Sequence, residues 1–216
     1  MNDVRELSRH ASPGGRPQPV AFHRGTLWIG SRERSRLYAI DPLTWSVREE
    51  VAIPGEPFGL ASFDGALHVV VSIGEDDDRY LYRYVPGTTF DPSSGAACPE
   101  RTGSNLASDG TALYLVQATF GKIVKLDRSG SVSREITLGT RCAGFAFGAG
   151  GASMIAADDE FDVLQFGSLD LAGSAAAFAP IAGISADARG LAFDGKSWWT
   201  NLREKHEIIS FASPAA

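Results

Sequence analysis

Residues 61–72, ASFDGALHVVVS, join two short apolar runs through an Asp-Gly pair, and the phrase returns as LASDGTALYLVQA from Leu106 and LAFDGKSWWTN from Leu191. The alanine ahead of the turn serves as a marker. It falls at Ala21, Ala61, Ala107, Ala146 and Ala192, at spacings of 40, 46, 39 and 46 residues. A period near 40 to 45 residues is that of propeller blades. Each unit carries further short runs such as TLWIGS (26–31) and RLYAID (36–41), rich in β-branched and aromatic residues and too short for helices, so they are strands.

The turns between the first two strands of each unit fall at Arg24-Gly25, Asp64-Gly65, Asp109-Gly110, Gly150-Gly151 and Asp194-Gly195. Such pairs suit two-residue hairpins, whose central residues take positive φ. Asp64, Asp109 and Asp194 are therefore turn formers rather than catalytic or metal-binding carboxylates. A fourth strand is visible in SVREEVAI (46–53) and SVSREITL (131–138), whereas the fifth unit lacks one. DVRELSRH, from Asp3 to His10, resembles those outer strands and precedes the first inner strand. Lending it to the last unit closes a ring without leaving a seam. The expectation is an all-β, five-bladed β-propeller of four-stranded antiparallel blades, one domain over residues 1–216, with no helix. A β-sandwich is the alternative, but it does not require so regular a period.

LWIGSRERSRLYAIDP (27–42), followed by GLASFDGALHVV (59–70), resembles the repeats of NHL, YVTN and streptogramin-lyase-like propellers. The resemblance spans nearly the whole chain and is specific to architecture. Those groups include hydrolases, lyases and pure binding scaffolds, so it implies a fold and little chemistry. The Trp-Asp signature of WD40 repeats and the aromatic-rich pattern of five-bladed lectins are absent.

Composition narrows the partners. The 216 residues are 44% hydrophobic and carry a formal charge of −6, which argues against nucleic acid and anionic membrane surfaces. No 18-residue apolar run is present. The opening MNDVRELSRHASPGG lacks the apolar stretch of a signal peptide. Cys98 and Cys142 are too few for a disulfide framework and are expected as free thiols. A cytoplasmic protein is the expectation.

In propellers the loops leading into the inner strands share one face with the loops joining second to third strands, and ligands bind there. The lead-ins align Arg16, Glu56, Thr102, Arg141 and Asp187, with Gln18, Phe58, Ser104, Ala143 and Arg189 two residues on. Charges converging on a concavity suit a small-molecule site; a self-neutralising ring of ion pairs is the plainer reading. The second-to-third loops are charge-rich, among them GEDDDR (74–79), DDEFD (158–162) and REKHE (203–207). None has the alternating ligands of an EF-hand. His206 is the one histidine in such a loop; His68 is expected to pack between blades, His10 lies in the borrowed strand and His23 precedes a turn. No G-x-S-x-G, H-E-x-x-H or phosphate-cradling glycine loop occurs.

The function expected is binding of a small polar or anionic, carboxylate-bearing molecule at the channel mouth. The ligand residues are Arg16, Glu56, Arg141, Asp187, Arg189 and His206, with no metal or cofactor. Two alternatives stand beside it. One is a metal-dependent hydrolase or lyase resembling propeller lactonases, for which Glu56, Asn105 and Asp187 are the available ligands and Arg16 and Arg141 unfavourable neighbours. The other is a protein-interaction scaffold. Adjacent Trp198 and Trp199 face opposite sides of one strand and cannot both be exposed there.

Overall fold

The computed structural model describes residues 1–158, 160 and 162–213. Asp159 and Phe161 of the DDEFD loop, and Pro214, Ala215 and Ala216, lie outside the described residues. Strand β1 (Glu6–Ala11) is set apart from its neighbours in sequence. Blade 1 is β2 (Pro17–His23), β3 (Thr26–Ser31), β4 (Arg36–Ile40) and β5 (Val47–Ala52). Blade 2 is β6 (Glu56–Phe63), β7 (Ala66–Ile73), β8 (Asp78–Tyr84) and the two-residue β9 (Ala96–Ala97). Blade 3 is β10 (Asn105–Ser108), β11 (Leu113–Gln117), β12 (Lys122–Leu126) and β13 (Val132–Thr137). Blade 4 is β14 (Arg141–Gly148), β15 (Gly151–Ala157), β16 (Leu164–Asp170) and β17 (Ala177–Ile184). Blade 5 is β18 (Ala188–Phe193), β19 (Ser197–Leu202) and β20 (Glu207–Ala212), completed by β1. The result is five four-stranded antiparallel sheets arranged as a propeller. Helix among the described residues is limited to 3₁₀ turns at Pro99–Arg101 and Ala118–Phe120.

The recurring alanine has a packing role. The apolar core divides into five clusters, one between each pair of adjacent blades. Successive residues on a strand face opposite sides, so each inner strand offers a large residue to one neighbour and the marker alanine to the other. Ala21 meets Leu60 between blades 1 and 2, and Ala61 meets Leu106 between blades 2 and 3. Ala107 meets Phe145, Ala146 meets Leu191, and Ala192 meets Val20 where blade 5 returns to blade 1. The inner strands converge on the axis, and the small partner leaves room for the large one.

Closure occurs at the fifth blade. β1 pairs antiparallel with β20, from Glu6 opposite Phe211 to Ala11 opposite Glu207. Asp3 bridges to Gly183 on the outer strand of blade 4. Blade 1 clasps the join: the ring of Trp45 stacks on His10 at 4.1 Å and lies 6.3 Å from Trp199. Its Nε1 donates to the Ala11 carbonyl at 2.9 Å. Trp198 and Trp199 are both buried, on opposite faces of β19, and Trp198 packs against Phe166 and Phe193.

The hairpins follow the expectation in two blades and depart from it in three. Arg24-Gly25 (φ 48° and 79°) and Asp64-Gly65 (φ 47° and 73°) are two-residue turns of the expected kind. In blade 4 the reversal falls one residue earlier, at Ala149-Gly150, because Gly148 pairs with Gly151. The Asp109 and Asp194 loops are longer, and the aspartate side chain closes them. Asp194 Oδ1 accepts from the Lys196 and Ser197 amides and Oδ2 from Trp199 Nε1. Asp109 Oδ1 accepts from the Thr111 amide and hydroxyl at 2.7 Å and the Ala112 amide at 2.8 Å, while Oδ2 accepts from the Tyr114 hydroxyl at 2.8 Å.

Burial opposes the Asp109 charge, but the bonds from Thr111, Tyr114 and Ala112 outweigh it and hold its pKa at about 2, below the usual 3.8. A carboxylate whose folded pKa is depressed stabilises the protein above its unfolded value, and that contribution is lost as pH falls through the folded one. Asp109→Ala is expected to destabilise by about 1–2 kcal/mol at neutral pH, as for other lost side-chain caps. The deficit against wild type should shrink between about pH 4 and pH 2, as followed by melting temperature across that range.

Candidate functional site

The inner strands begin at one face of the disc, and there four of them carry a β-bulge. Register shifts fall at Pro17/Val20, Pro57/Gly59, Cys142/Gly144 and Arg189/Ala192. Bulges re-aim side chains and concentrate next to binding sites. The strands approach closely at this level. A Cβ on Gly59 would stand 2.9 Å from the Leu106 amide nitrogen, and one on Gly144 would stand 2.8 Å from the Gly190 carbonyl. Just above this constriction Gln18, Phe58, Ser104, Ala143 and Arg189, one from each blade, line a cavity of about 390 Å³.

Two more arginines enter that cavity from the loops that follow second strands: Arg32, directly after β3, and Arg203, directly after β19. Arg203 donates to Gln18 Oε1, and its Nε is buried with no hydrogen-bond partner among the described residues. Burial pulls the Arg203 guanidinium down to about 10, with Arg189, Arg32 and Arg16 adding to the effect and Glu204 opposing it. Burial also lowers Arg189, whose Nη1 donates to the carbonyls of Ala186 and Ala188. Arg32 is held at the rim by Glu56, its Nε 2.7 Å from Oε2. The Arg32 guanidinium lies 4.3 Å from the Phe58 ring centre and that of Arg79 lies 3.7 Å from it. Arg79 is itself buried and fixed by Asp77 and the Gly103 carbonyl.

The residues singled out from sequence divide into groups. Arg189 lines the mouth cavity, Glu56 meets it through Arg32, and Arg16 is exposed on the same face, its carbonyl accepting the Arg32 amide at 3.2 Å. Arg141 lines an adjoining depression of about 530 Å³ that shares Ala118 and Cys142 with the mouth. Asp187 organises the loop beyond β19, accepting the Glu204 amide at 2.8 Å and the Lys205 amide at 3.1 Å. His206 is exposed in that same loop with φ 55°. The alignment of lead-in loops missed Arg32 and Arg203. Aligning the first residue after each second strand (Arg32, Gly74, Ala118, Asp158 and Arg203) brings both out.

Of the residues weighed as metal ligands, Glu56 is engaged with Arg32 and Asp187 with loop amides, and Asn105 Nδ2 donates to the Cys142 carbonyl at 3.4 Å. Among the described residues no three His, Cys, Asp or Glu side chains gather as a metal site would require. Of the other reactive groups, Cys98 and Cys142 are free and buried, and burial pushes each thiol up to about 12. They are held protonated and poor as nucleophiles. His68 is half-buried against Phe63, and burial with Arg83 nearby lowers it to about 4.

The chain is thus a five-bladed β-propeller with an arginine-lined mouth. It is similar in fold to the glutaminyl cyclase of Myxococcus xanthus, with a TM-score of 0.64, 12% identity, and coverage of 97% of each chain. The aldose sugar dehydrogenase of Streptomyces coelicolor, solved in its PQQ-bound form, matches with a TM-score of 0.59 and 16% identity, over 93% of this chain and 81% of that one. Regucalcin of Agrobacterium tumefaciens, a calcium-binding protein, matches with a TM-score of 0.59 and 12% identity, over 98% and 95%. At such identities the likeness is one of fold. No protein-family model matches the sequence, and no curated protein does. Among the described residues no helix is long and apolar enough to cross a membrane.

Proposed function

We propose that the mouth of the channel binds a small anionic molecule through a carboxylate or phosphate group. The observation that carries this reading is the gathering of Arg32, Arg189 and Arg203 around one cavity in a chain whose formal charge is −6. Holding a charged guanidinium in a partly buried space among other cations carries a cost, seen in the lowered pKa of Arg203, to which burial contributes most and the neighbouring arginines less. An anion removes it, and the planar guanidinium suits a two-oxygen acceptor. Gln18, Ser104 and Asn105 add neutral hydrogen-bonding groups to the same wall. The edge of Phe58 supplies an apolar boundary.

Calorimetric titration with a panel of small carboxylates and inorganic phosphate tests the reading. At least one anion is expected to bind with one-to-one stoichiometry, more weakly as ionic strength rises, while neutral amides of the same shape do not bind. Equal binding of acid and amide would remove the basis for an anion site.

A further inference from the structure

Resting on the anion site proposed above, we propose that the ligand of the mouth is amphiphilic. Its single anionic head sits against blades 5 and 1, and an uncharged tail passes Ala118 into the depression between blades 3 and 4. The charge of the mouth lies on one side. Arg32 comes from blade 1, and Arg189 and Arg203 come from blade 5. These two blades meet where the ring closes. Gln18, also on blade 1, is tied to Arg203.

The opposite side carries no charge among the described residues. It is made by Phe58 of blade 2, Ser104, Asn105 and Ala118 of blade 3, and Cys142 and Ala143 of blade 4. The two polar side chains there donate to the wall itself. Ser104 Oγ donates to the Val116 carbonyl at 3.2 Å, and Asn105 Nδ2 to the Cys142 carbonyl at 3.4 Å. A second anionic group placed on this side would give up water without gaining a cation, which is costly. An apolar tail gains by leaving water.

The tail also has a way out. The residue that follows the second strand is arginine in blades 1 and 5, whereas in blade 3 it is Ala118, a methyl group in place of a guanidinium. Ala118 and Cys142 border both the mouth and the depression of about 530 Å³ beyond it. Among the described residues Arg141 is the one charged neighbour of that depression, and it is exposed. Solvent screening makes it a weak anchor for a second head. Ala118 borders a further depression between blades 2 and 3, but six charged side chains line that one, from Asp76 to Arg79 and Glu100 with Arg101. Such groups hold their water against an apolar chain, so the path toward blade 4 is the favoured one.

Calorimetric titration of the intact chain with acetate, butyrate, hexanoate and octanoate tests the tail separately from the head. Affinity is expected to rise by about two- to fourfold with each methylene as far as hexanoate, the gain from partial to full burial of that group. Hexyl phosphate against inorganic phosphate repeats the comparison for the other head and should show the same gain. Succinate and adipate should bind no more tightly than acetate, and hexanamide not at all. Ala118→Gln, which puts a polar amide across the passage, should cut the ratio of hexanoate to acetate affinity by at least about threefold, the worth of one methylene. Equal affinity along the series, or adipate binding more tightly than hexanoate, overturns the tail and leaves the anion head standing. Hexanamide binding as tightly as hexanoate, or no anion binding at all, overturns the head as well.

Discussion

Removal of residues 1–12 is expected to lower the melting temperature by about 10–20 °C, the shift that a loss of about 5 kcal/mol produces in a chain of this size. The deletion strips β1 from β20 and exposes a strand edge competent to pair with another molecule. It withdraws Val4 from the core between blades 4 and 5. It also takes away the His10 ring and the Ala11 carbonyl that hold Trp45. Backbone bonds contribute about 1 kcal/mol each, and a buried valine about 1.5–3 kcal/mol at most, so several such losses reach the figure expected. Aggregation on heating should accompany the shift. A truncated protein that melts where the full chain does would show that the ring is closed by other means.

Simultaneous Arg189→Ala and Arg203→Ala substitution is expected to weaken binding of the mouth's anion by more than about a hundredfold. Each charge-assisted contact contributes about 1.5–3 kcal/mol, so the pair reaches 3 kcal/mol even at the low end of that range. Arg203 also bonds to Gln18, so the folded fraction must be followed by circular dichroism in parallel. The matching double lysine variant separates charge from geometry: it keeps the cations but loses the fork, and should fall between wild type and the alanine pair. Arg141→Ala, in the adjoining depression, should change affinity by less than about threefold, within the range of a screened surface charge. Unaltered affinity in the double alanine variant would move the anion site elsewhere.

The fold was legible because it is written five times. The spacing of the alanines and the three strand runs of each unit define blades, and the likeness of DVRELSRH to the outer strands gives the closure. The turns were less legible. Asp-Gly in Asp64-Gly65 takes positive φ at both residues, whereas in Asp109-Gly110 only the glycine does. In the latter the carboxylate caps amides two and three residues on, which stabilises a longer loop from the same two letters. The mouth was legible only in part. Arg189 follows from strand alignment, but Arg141, two residues upstream of the equivalent position in blade 4, faces a neighbouring depression. Arg32 and Arg203 come from loops whose reach depends on burial and on partners such as Gln18, which strand periodicity does not encode. Asp187 has the composition of a ligand residue and the geometry of a loop staple.

The alternation of a large residue and alanine on each inner strand makes the five interblade joints directional. Each blade presents a knob to one neighbour and a socket to the other, so the joint is heterologous in the sense used for subunit assembly. Heterologous contacts close into a ring only when their rotation divides the circle, and otherwise run on as an open spiral. At each joint the alanine lies in the same buried cluster as the large residue of the next blade. Within this chain the five repeats and the β1–β20 pairing fix the count of blades, and the column of small residues lets each knob seat in its socket: enlarging that column uniformly would strain every joint at once.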